Sequence, residues 1–440
     1  MKKIDLTTGK ELSVISLLSL PLIGSSLLQF LYNFIDMIFV GGLGPNAIAS
    51  VGSASFFINL GYSIQAMIVV GGGIKIAHAI GRKNEIESTS YIGISLLLNF
   101  FIGIITIFVL LFFGNYLLDF LDLNNETVQA NAYQYMAVSG FVLFFSYFNT
   151  FFIRMFSSFG NNKQSFYISA FGLVLNIILD PIFIYTFEWG VIGAAIATLV
   201  AHILMFISFV YLARKILFDK NIFQTSYHKA LEIIKLGIPM STQRVLFTVI
   251  NIILAKFIAS YGTDAVAAQK IGLQIESITF IVMGALNGAI SSFIGQNFGA
   301  KEFKRILKGY HVSLVLGTLY AFLTSLVFIF FSEQLTRLFT QDIETIVITS
   351  AYLKIIGLSQ IFMAMEMIVT GVYTGIGLPK IPSAISIVFT FMRIPLAIFL
   401  TPIFGLNGIW LSIAISSFVK GVLSVVIFSF IYRRKYQNAI

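Results

Sequence analysis

Residues 21–44 read PLIGSSLLQFLYNFIDMIFVGGLG, and one position among them decides what kind of chain this is. Apart from Asp36 the stretch carries no charge. About 20 helical residues cross the hydrocarbon core of a bilayer, so this carboxylate is expected inside a membrane. An ionised Asp near mid-membrane costs at least about 2.5 to 3.5 kcal/mol, and such an acid is a functional residue by default. Gln29, Tyr32, Asn33 and Asp36 recur at intervals of three and four, which gathers four polar groups on one helical face among Ile, Leu and Phe. That face looks onto something wet. Pro21 precedes it, where the missing backbone donor lets the helix bend, and is read as a hinge.

The rest of the chain fits this start. Of 440 residues 58% are apolar and 11% charged, and the mean hydropathy is +0.92, which describes an all-α integral membrane protein. Twelve apolar spans are expected near 12–40, 46–76, 88–113, 128–155, 164–187, 190–213, 233–260, 264–293, 308–331, 345–376, 381–403 and 406–431. The second and tenth are long enough to hide a break. Basic residues fall on alternate loops: Lys2, Lys3, Lys10, Arg82, Lys83, Lys163, the runs 214–235 and 301–308, Lys380, and the tail Arg433, Arg434 and Lys435. The other loops carry Asp119, Asp122, Glu126, Glu188, Asp264, Glu333, Asp342 and Glu344, with Arg337 the basic exception. This asymmetry predicts both termini on the cytoplasmic side, and the membrane expected for the protein as a whole is the inner membrane of a prokaryotic cell. The net charge of +9 is therefore a topology signal in short loops and does not point to nucleic acid. The first apolar run is too long for a cleavable leader. With zero Cys there is no thiol chemistry, and Asn125-Glu126-Thr127 is too short a match to establish a glycosylation site.

A duplication runs through the sequence. An offset of 239 − 21 = 218 pairs Pro21 with Pro239, Gly44 with Gly262, Ala47 with Ala265, Ala49 with Ala267, Gly81 with Gly299 and Lys83 with Lys301. Gly160, Lys163 and Ser169 match Gly377, Lys380 and Ser386 at 217, and Gly190 and Gly193 match Gly405 and Gly408 at 215. Six spans per half is an even number, so the halves run the same way across the membrane. This predicts two six-helix lobes, 1–215 carrying the cation site and 216–440, divided in the basic connection.

Further polar groups cluster in the first half. Asn176 and Asp180 share a helical face at i and i+4, and Pro181 follows, freeing a carbonyl one turn earlier. Thr198 lies among small residues that let helices approach closely. Asp36, Asn176, Asp180 and Thr198 offer oxygen ligands, suited to a proton or a hard cation such as Na+. The second half does not repeat these acids: Leu254 takes the place of Asp36, and 394–397 cover that of Asp180. Glu276 and Glu366 are its own membrane carboxylates, with Arg244, Lys354, Arg393 and Lys420 as membrane cations for ion pairs or substrate contacts. The glycines at 41–44 and 71–73 follow no strand, and there is no phosphate-loop signature, so neither a dinucleotide cofactor nor an ATPase engine is expected. His78 and His202 lack a ligand partner at helical spacing and read as ordinary polar residues.

Pro21, Gln29, Tyr32, Asp36, Gly41 and Gly44, then Asn176, Asp180, Pro181 and Thr198, then FGLNGIW at 404–410, resemble the multidrug and toxic compound extrusion (MATE) family, on its DinF-like branch. The resemblance implies twelve helices in two lobes and export of cationic drugs in exchange for H+ or Na+. By it, Asp36, Asn176, Asp180 and Thr198 match that branch's first-lobe cation site, which would hold Na+ in a sodium-coupled member. Gln29, Tyr32 and Asn149 match residues lining its cavity, and Pro21 matches the proline where the first helix bends. The other large branch keeps an essential acid in its second lobe, which Phe247 and GLPK at 377–380 lack.

The expected protein is thus a secondary antiporter without a cofactor, not an enzyme. It would act as a single chain in the bilayer and export lipophilic, cationic small molecules by alternating access. One rival is a lipid-linked saccharide flippase using Arg244 and Arg393 on phosphate. The other is an intramembrane enzyme, for which no nucleophile with a base is found.

Overall fold

The computed structural model describes residues 5–121, 125–224 and 226–436. Lys2, Lys3 and Asp122, and the side chains of Arg433, Arg434 and Lys435, lie outside the described residues. Among those described there is no strand. The first half runs α1 Glu11–Gly41, α2 Pro45–Gly81, α3 Glu85–Phe112, α4 Gly114–Asp119, α5 Glu126–Ser158, α6 Asn162–Pro181 and α7 Gly190–Leu217. The second runs α8 Tyr227–Ala259, α9 Thr263–Gly299, α10 Phe303–Phe330, α11 Ser332–Arg337, α12 Ile343–Gly375, α13 Lys380–Phe391, α14 Arg393–Phe404 and α15 Leu406–Tyr436. Among the described residues twelve spans are long and apolar enough to cross a membrane, α6 with the turn after it and α13 with α14 each counting as one.

Helix breaks fall elsewhere than in the long second and tenth spans, which are the uninterrupted α2 and α12. The fifth span changes at Pro181, which has no N–H to give back to residue 177; the chain continues as a π turn, Ile182–Thr186, where Phe187 N donates to Ile182 O at 2.9 Å. In the eleventh span a turn at Met392 separates α13 from α14. Pro395 sits in the first turn of α14, where its missing donor is tolerated but leaves the Phe391 carbonyl without its helical partner.

The duplication is written into the backbone. Left-handed φ angles recur in pairs: Gly44 98° and Gly262 104°, Lys83 59° and Lys301 62°, Gly160 77° and Gly377 81°, Gly190 54° and Gly405 58°. At Gly193 a Cβ would lie 2.5 Å from the Phe183 carbonyl oxygen, and at Gly408 it would lie 2.6 Å from that of Leu400. Each sixth span therefore needs glycine where it crosses the fifth. Asn125 and Asp342 cap α5 and α12 alike, accepting from Val128 N at 3.2 Å and Thr345 N at 2.7 Å. Hydrogen bonds from Thr345 hold the Asp342 carboxyl below its usual range, so this cap persists at neutral pH and is lost only as acid protonates it.

Chain contacts divide the protein into two units. One joins the chain up to Leu6 to Leu20–Ser241; the other joins Thr7–Ser19 to the chain from Thr242 onward. In the first, α5 packs against α2, α3 and α7; in the second, its repeat counterpart α12 packs against α9, α10 and α15. Tyr147, Phe151, Phe152 and Phe156 on α5 are fully buried, with Phe209 of α7 stacked on Phe152 at 5.6 Å. In the second unit Trp410 meets Tyr352 edge to face at 5.4 Å and donates its indole N–H to Gln269 Oε1 at 2.7 Å. The outer faces stay apolar, with Phe101, Ile105, Phe108, Leu319 and Leu323 exposed, as a lipid solvent requires.

Candidate functional site

A cavity of about 290 Å³ opens within the first unit, where α1 faces α2, α5 and α7. Gln29, Tyr32, Asn33 and Asp36 all line it, so the three-and-four spacing of α1 has become one polar wall. Thr198 of α7 lines it too. Among the described residues Asp36 Oδ1 is buried with no hydrogen-bond partner, which leaves acceptor capacity free on the cavity wall.

Asn176 and Asp180 are fully buried one turn apart on α6, and the Asn176 Nδ2 amide donates to Asp180 Oδ1 at 2.9 Å. They do not line the cavity. Among the described residues Asp180 Oδ2 and Asn176 Oδ1 are likewise buried without a partner. Two carboxylates, a carboxamide and a hydroxyl are thus divided between the cavity wall, with Asp36 and Thr198, and the layer behind it, with Asn176 and Asp180. Among the described residues no three His, Cys, Asp or Glu side chains are grouped as metal ligands.

Asn149 is buried but lies off the cavity. Its Nδ2 donates to the His202 carbonyl at 3.0 Å and lies 3.2 Å from His202 Nδ1, and His202 is the residue that reaches the cavity. The His202 ring also meets Tyr32 edge-on at 6.0 Å. Its one signal in the sequence is position: it follows Thr198 by four residues and so shares its face of α7. Pro21 sits inside an α1 that is helical throughout, and Ser25 Oγ donates to its carbonyl at 3.0 Å. The division between units falls beside it, at 19/20, and again at 241/242, beside Pro239.

The second unit holds its own cavity, of about 440 Å³. Glu276 and Arg393 line it, whereas Glu366 and Arg244 do not. Glu276 accepts from the Tyr352 hydroxyl at 2.6 Å and from Gln360 Nε2 at 3.3 Å. Glu366 is buried and paired with buried Lys420 at 2.9 Å. Arg244 lies exposed on α8.

The MatE family profile matches residues 21–182 and 239–399, covering both halves of the repeat. The chain belongs to the MatE family. Relatives within it include the probable multidrug resistance protein NorM of Thermotoga maritima, 26% identical over 431 residues, covering 93% of this chain and 90% of NorM. The probable multidrug resistance protein YoeA of Bacillus subtilis is 28% identical over 445 residues, covering 96% and 94%. The multidrug export protein MepA of Staphylococcus aureus is 26% identical over 423 residues, covering 93% and 91%. The MatE fold is seen directly in a crystal structure of a MATE protein in the bent conformation, which superposes with a TM-score of 0.92 at 23% identity over 100% of both chains. A MOP superfamily transporter from Pyrococcus furiosus superposes with a TM-score of 0.90 at 24% identity over 98% of both chains.

Proposed function

We propose that this MatE protein is a secondary active exporter of lipophilic, cationic drug-like molecules, driven by inward flow of H+ or Na+ through the first unit. The observation that carries this reading is Asp36: a membrane carboxylate on a polar cavity wall, with one oxygen left without a partner among the described residues. The names of its relatives, which are multidrug resistance and export proteins, agree with it.

In this reading Asp36, Asn176, Asp180 and Thr198 take the coupling ion, as in the DinF-like pattern they resemble, and Gln29, Tyr32, Asn33 and, through His202, Asn149 shape the space for substrate. Sodium would find only hard oxygen donors there, and a proton would settle on either carboxylate. Both termini face the cytoplasm, as the basic loops require. One charge crossing 100 mV supplies about 2.3 kcal/mol, enough for a roughly fifty-fold substrate gradient before any pH or sodium term. The deciding experiment follows efflux of a fluorescent cationic dye from proteoliposomes under separately imposed proton and sodium gradients. Uphill dye movement under one gradient supports the reading; none under either overturns it.

A further inference from the structure

The cavity of the second unit is a divergent copy of the cavity in the first. Asn33 + 218 gives Asn251, and Tyr135 + 217 gives Tyr352; both members of each pair line their own cavity. Offsets of 218, 218 and 215 map Asp36 onto Leu254, Ile58 onto Glu276 and His202 onto Ser417, all six of them cavity residues. Asn176 + 217 gives Arg393, which has come forward to the cavity wall, where Asn176 stays behind its own. The pocket has been kept while its charges have changed: the acid has moved from the first helix of the unit to the second, and a guanidinium stands where a carboxamide stood.

Arg393 opens α14 just after the turn at Met392 and is only 4% exposed. A guanidinium has five N–H donors. Among the described residues Arg393 uses one, Nε to Ser416 Oγ at 3.2 Å, and no carboxylate lies within 4 Å of it. Its charge rests on the Phe247 ring, 5.6 Å from the centroid. Glu366 and Glu276 act on this charge only from a distance, and Glu366 is itself in contact with Lys420 at 2.9 Å. Glu276 shares the cavity and is held by two neutral donors, Tyr352 and Gln360, without a cation bound to it. One apolar-walled pocket therefore presents a carboxylate and a planar cationic fork that are not paired with each other.

A simple organic cation entering this pocket would meet the guanidinium, and a simple anion would meet Glu276. A molecule bearing both charges satisfies both groups and leaves the buried site neutral, which matters most where the dielectric is low. The fork of Arg393 matches a carboxylate in two-point geometry. We propose that the second-unit cavity is a binding site for amphoteric organic solutes, with Arg393 taking the carboxylate of an aromatic zwitterion and Glu276 its ammonium. The site concerns binding in the second unit and stands apart from which ion the first unit couples.

The test uses the full-length protein in lipid nanodiscs and three probes sharing one fluorescent body. These are 6-(aminomethyl)-2-naphthoic acid, a zwitterion; its methyl ester, a cation; and its N-acetyl derivative, an anion. Equilibrium titration should show the zwitterion bound at least about tenfold more tightly than either relative, a margin of roughly 1.4 kcal/mol. Arg393→Gln should erase the preference for acid over ester, and Glu276→Gln the preference for amine over N-acetyl. Arg393→Lys, which keeps the charge but not the fork, guards against a folding defect and should retain part of the preference. Leu319→Ala, on the lipid-facing side of α10 and away from both cavities, should leave the zwitterion preference unchanged, and dye efflux measured in parallel shows failure of the first-unit reading separately from failure of this one. Equal affinities, no binding, or a preference for the ester that survives Arg393→Gln would each overturn the proposal.

Discussion

Asp180 Oδ1 accepts the Asn176 carboxamide at 2.9 Å, while Asp180 Oδ2 and Asn176 Oδ1 are buried beside it without partners. A buried acceptor left bare costs about 1–3 kcal/mol, and in the proposed reading a proton or cation would relieve that cost. Asn176→Ala strips the carboxylate of its one protein donor. It is expected to lower unfolding stability by about 1–3 kcal/mol at neutral pH, read as a drop in the thermal midpoint in detergent. An unchanged midpoint would show that the carboxamide does nothing for Asp180.

Asp36→Asn keeps the shape of the side chain and removes its charge. The variant should fold and bind dye yet lose uphill efflux, because an amide cannot carry the coupling proton or the charge that holds sodium. The measurement is dye accumulation against a gradient in proteoliposomes matched for protein content. Wild-type rates would move the coupling step away from α1.

Much of this was legible in the residues. Twelve spans follow from apolar run length, and the offsets of 218, 217 and 215 pick out positions whose backbones repeat, because left-handed turns at Gly44, Gly160 and Gly190 tolerate few other residues. The polar face of α1 was legible for the same reason: three-and-four spacing is local. Depth was not. Nothing in the spacing of Asn176 and Asp180 says that they stand behind the cavity wall while His202 stands on it, since that depends on how α6 and α7 rotate against α1. The exchange of an acid between Asp36 and Glu276 was also hidden, because each lies opposite an apolar residue in the repeat and the two sites match only once the cavities are known.

The Lys420–Glu366 pair is buried at both ends, with Nζ to Oε2 at 2.9 Å. Removing one partner leaves an uncompensated charge, so Glu366→Leu alone should cost about 3–5 kcal/mol. Adding Lys420→Met should recover most of that loss, because a packed apolar pair often replaces a buried ion pair without penalty. Thermal unfolding of the single and double variants checks this. A double variant no better than Glu366→Leu would mean that one of the two charges has another duty.

The start of α8 lies against α2 within the first unit through two glycines. A Cβ on Gly71 would fall 2.0 Å from the Ile233 carbonyl oxygen, and one on Gly237 would fall 1.9 Å from that of Met67. Neither backbone oxygen yields as a flexible side chain would. Gly71→Ala and Gly237→Ala should each destabilise by about 1–3 kcal/mol, whereas Gly52→Ala, where a Cβ meets nothing within 4 Å, should not. Equal thermal midpoints for all three would show that the two helices separate without cost.

The last expectation joins ion and substrate. Two bare carboxylates in low dielectric are costly together, so in the proposed reading ion entry would favour whatever shape of α1 lets Asp36 and Asp180 share a proton or cation. Gln29 and Tyr32 lie on the same wall as Asp36, so a change in α1 at Pro21 that serves the ion also redraws the space for substrate. Ion and drug should then bind competitively through one helix with two shapes. Thermodynamic linkage makes the effect reciprocal: raising the coupling ion weakens drug affinity, and drug weakens ion affinity by the same factor. Asp180→Asn should shrink that factor without abolishing drug binding, because Asp180 stands behind the cavity and does not line it. Pro21→Ala should slow export while leaving ion binding intact, since the proline acts on the shape of α1 and touches no ion. Titrating a fluorescent substrate against pH and then against sodium decides the matter. An affinity indifferent to both ions would sink competition through α1, and would turn attention to the second cavity and Glu276.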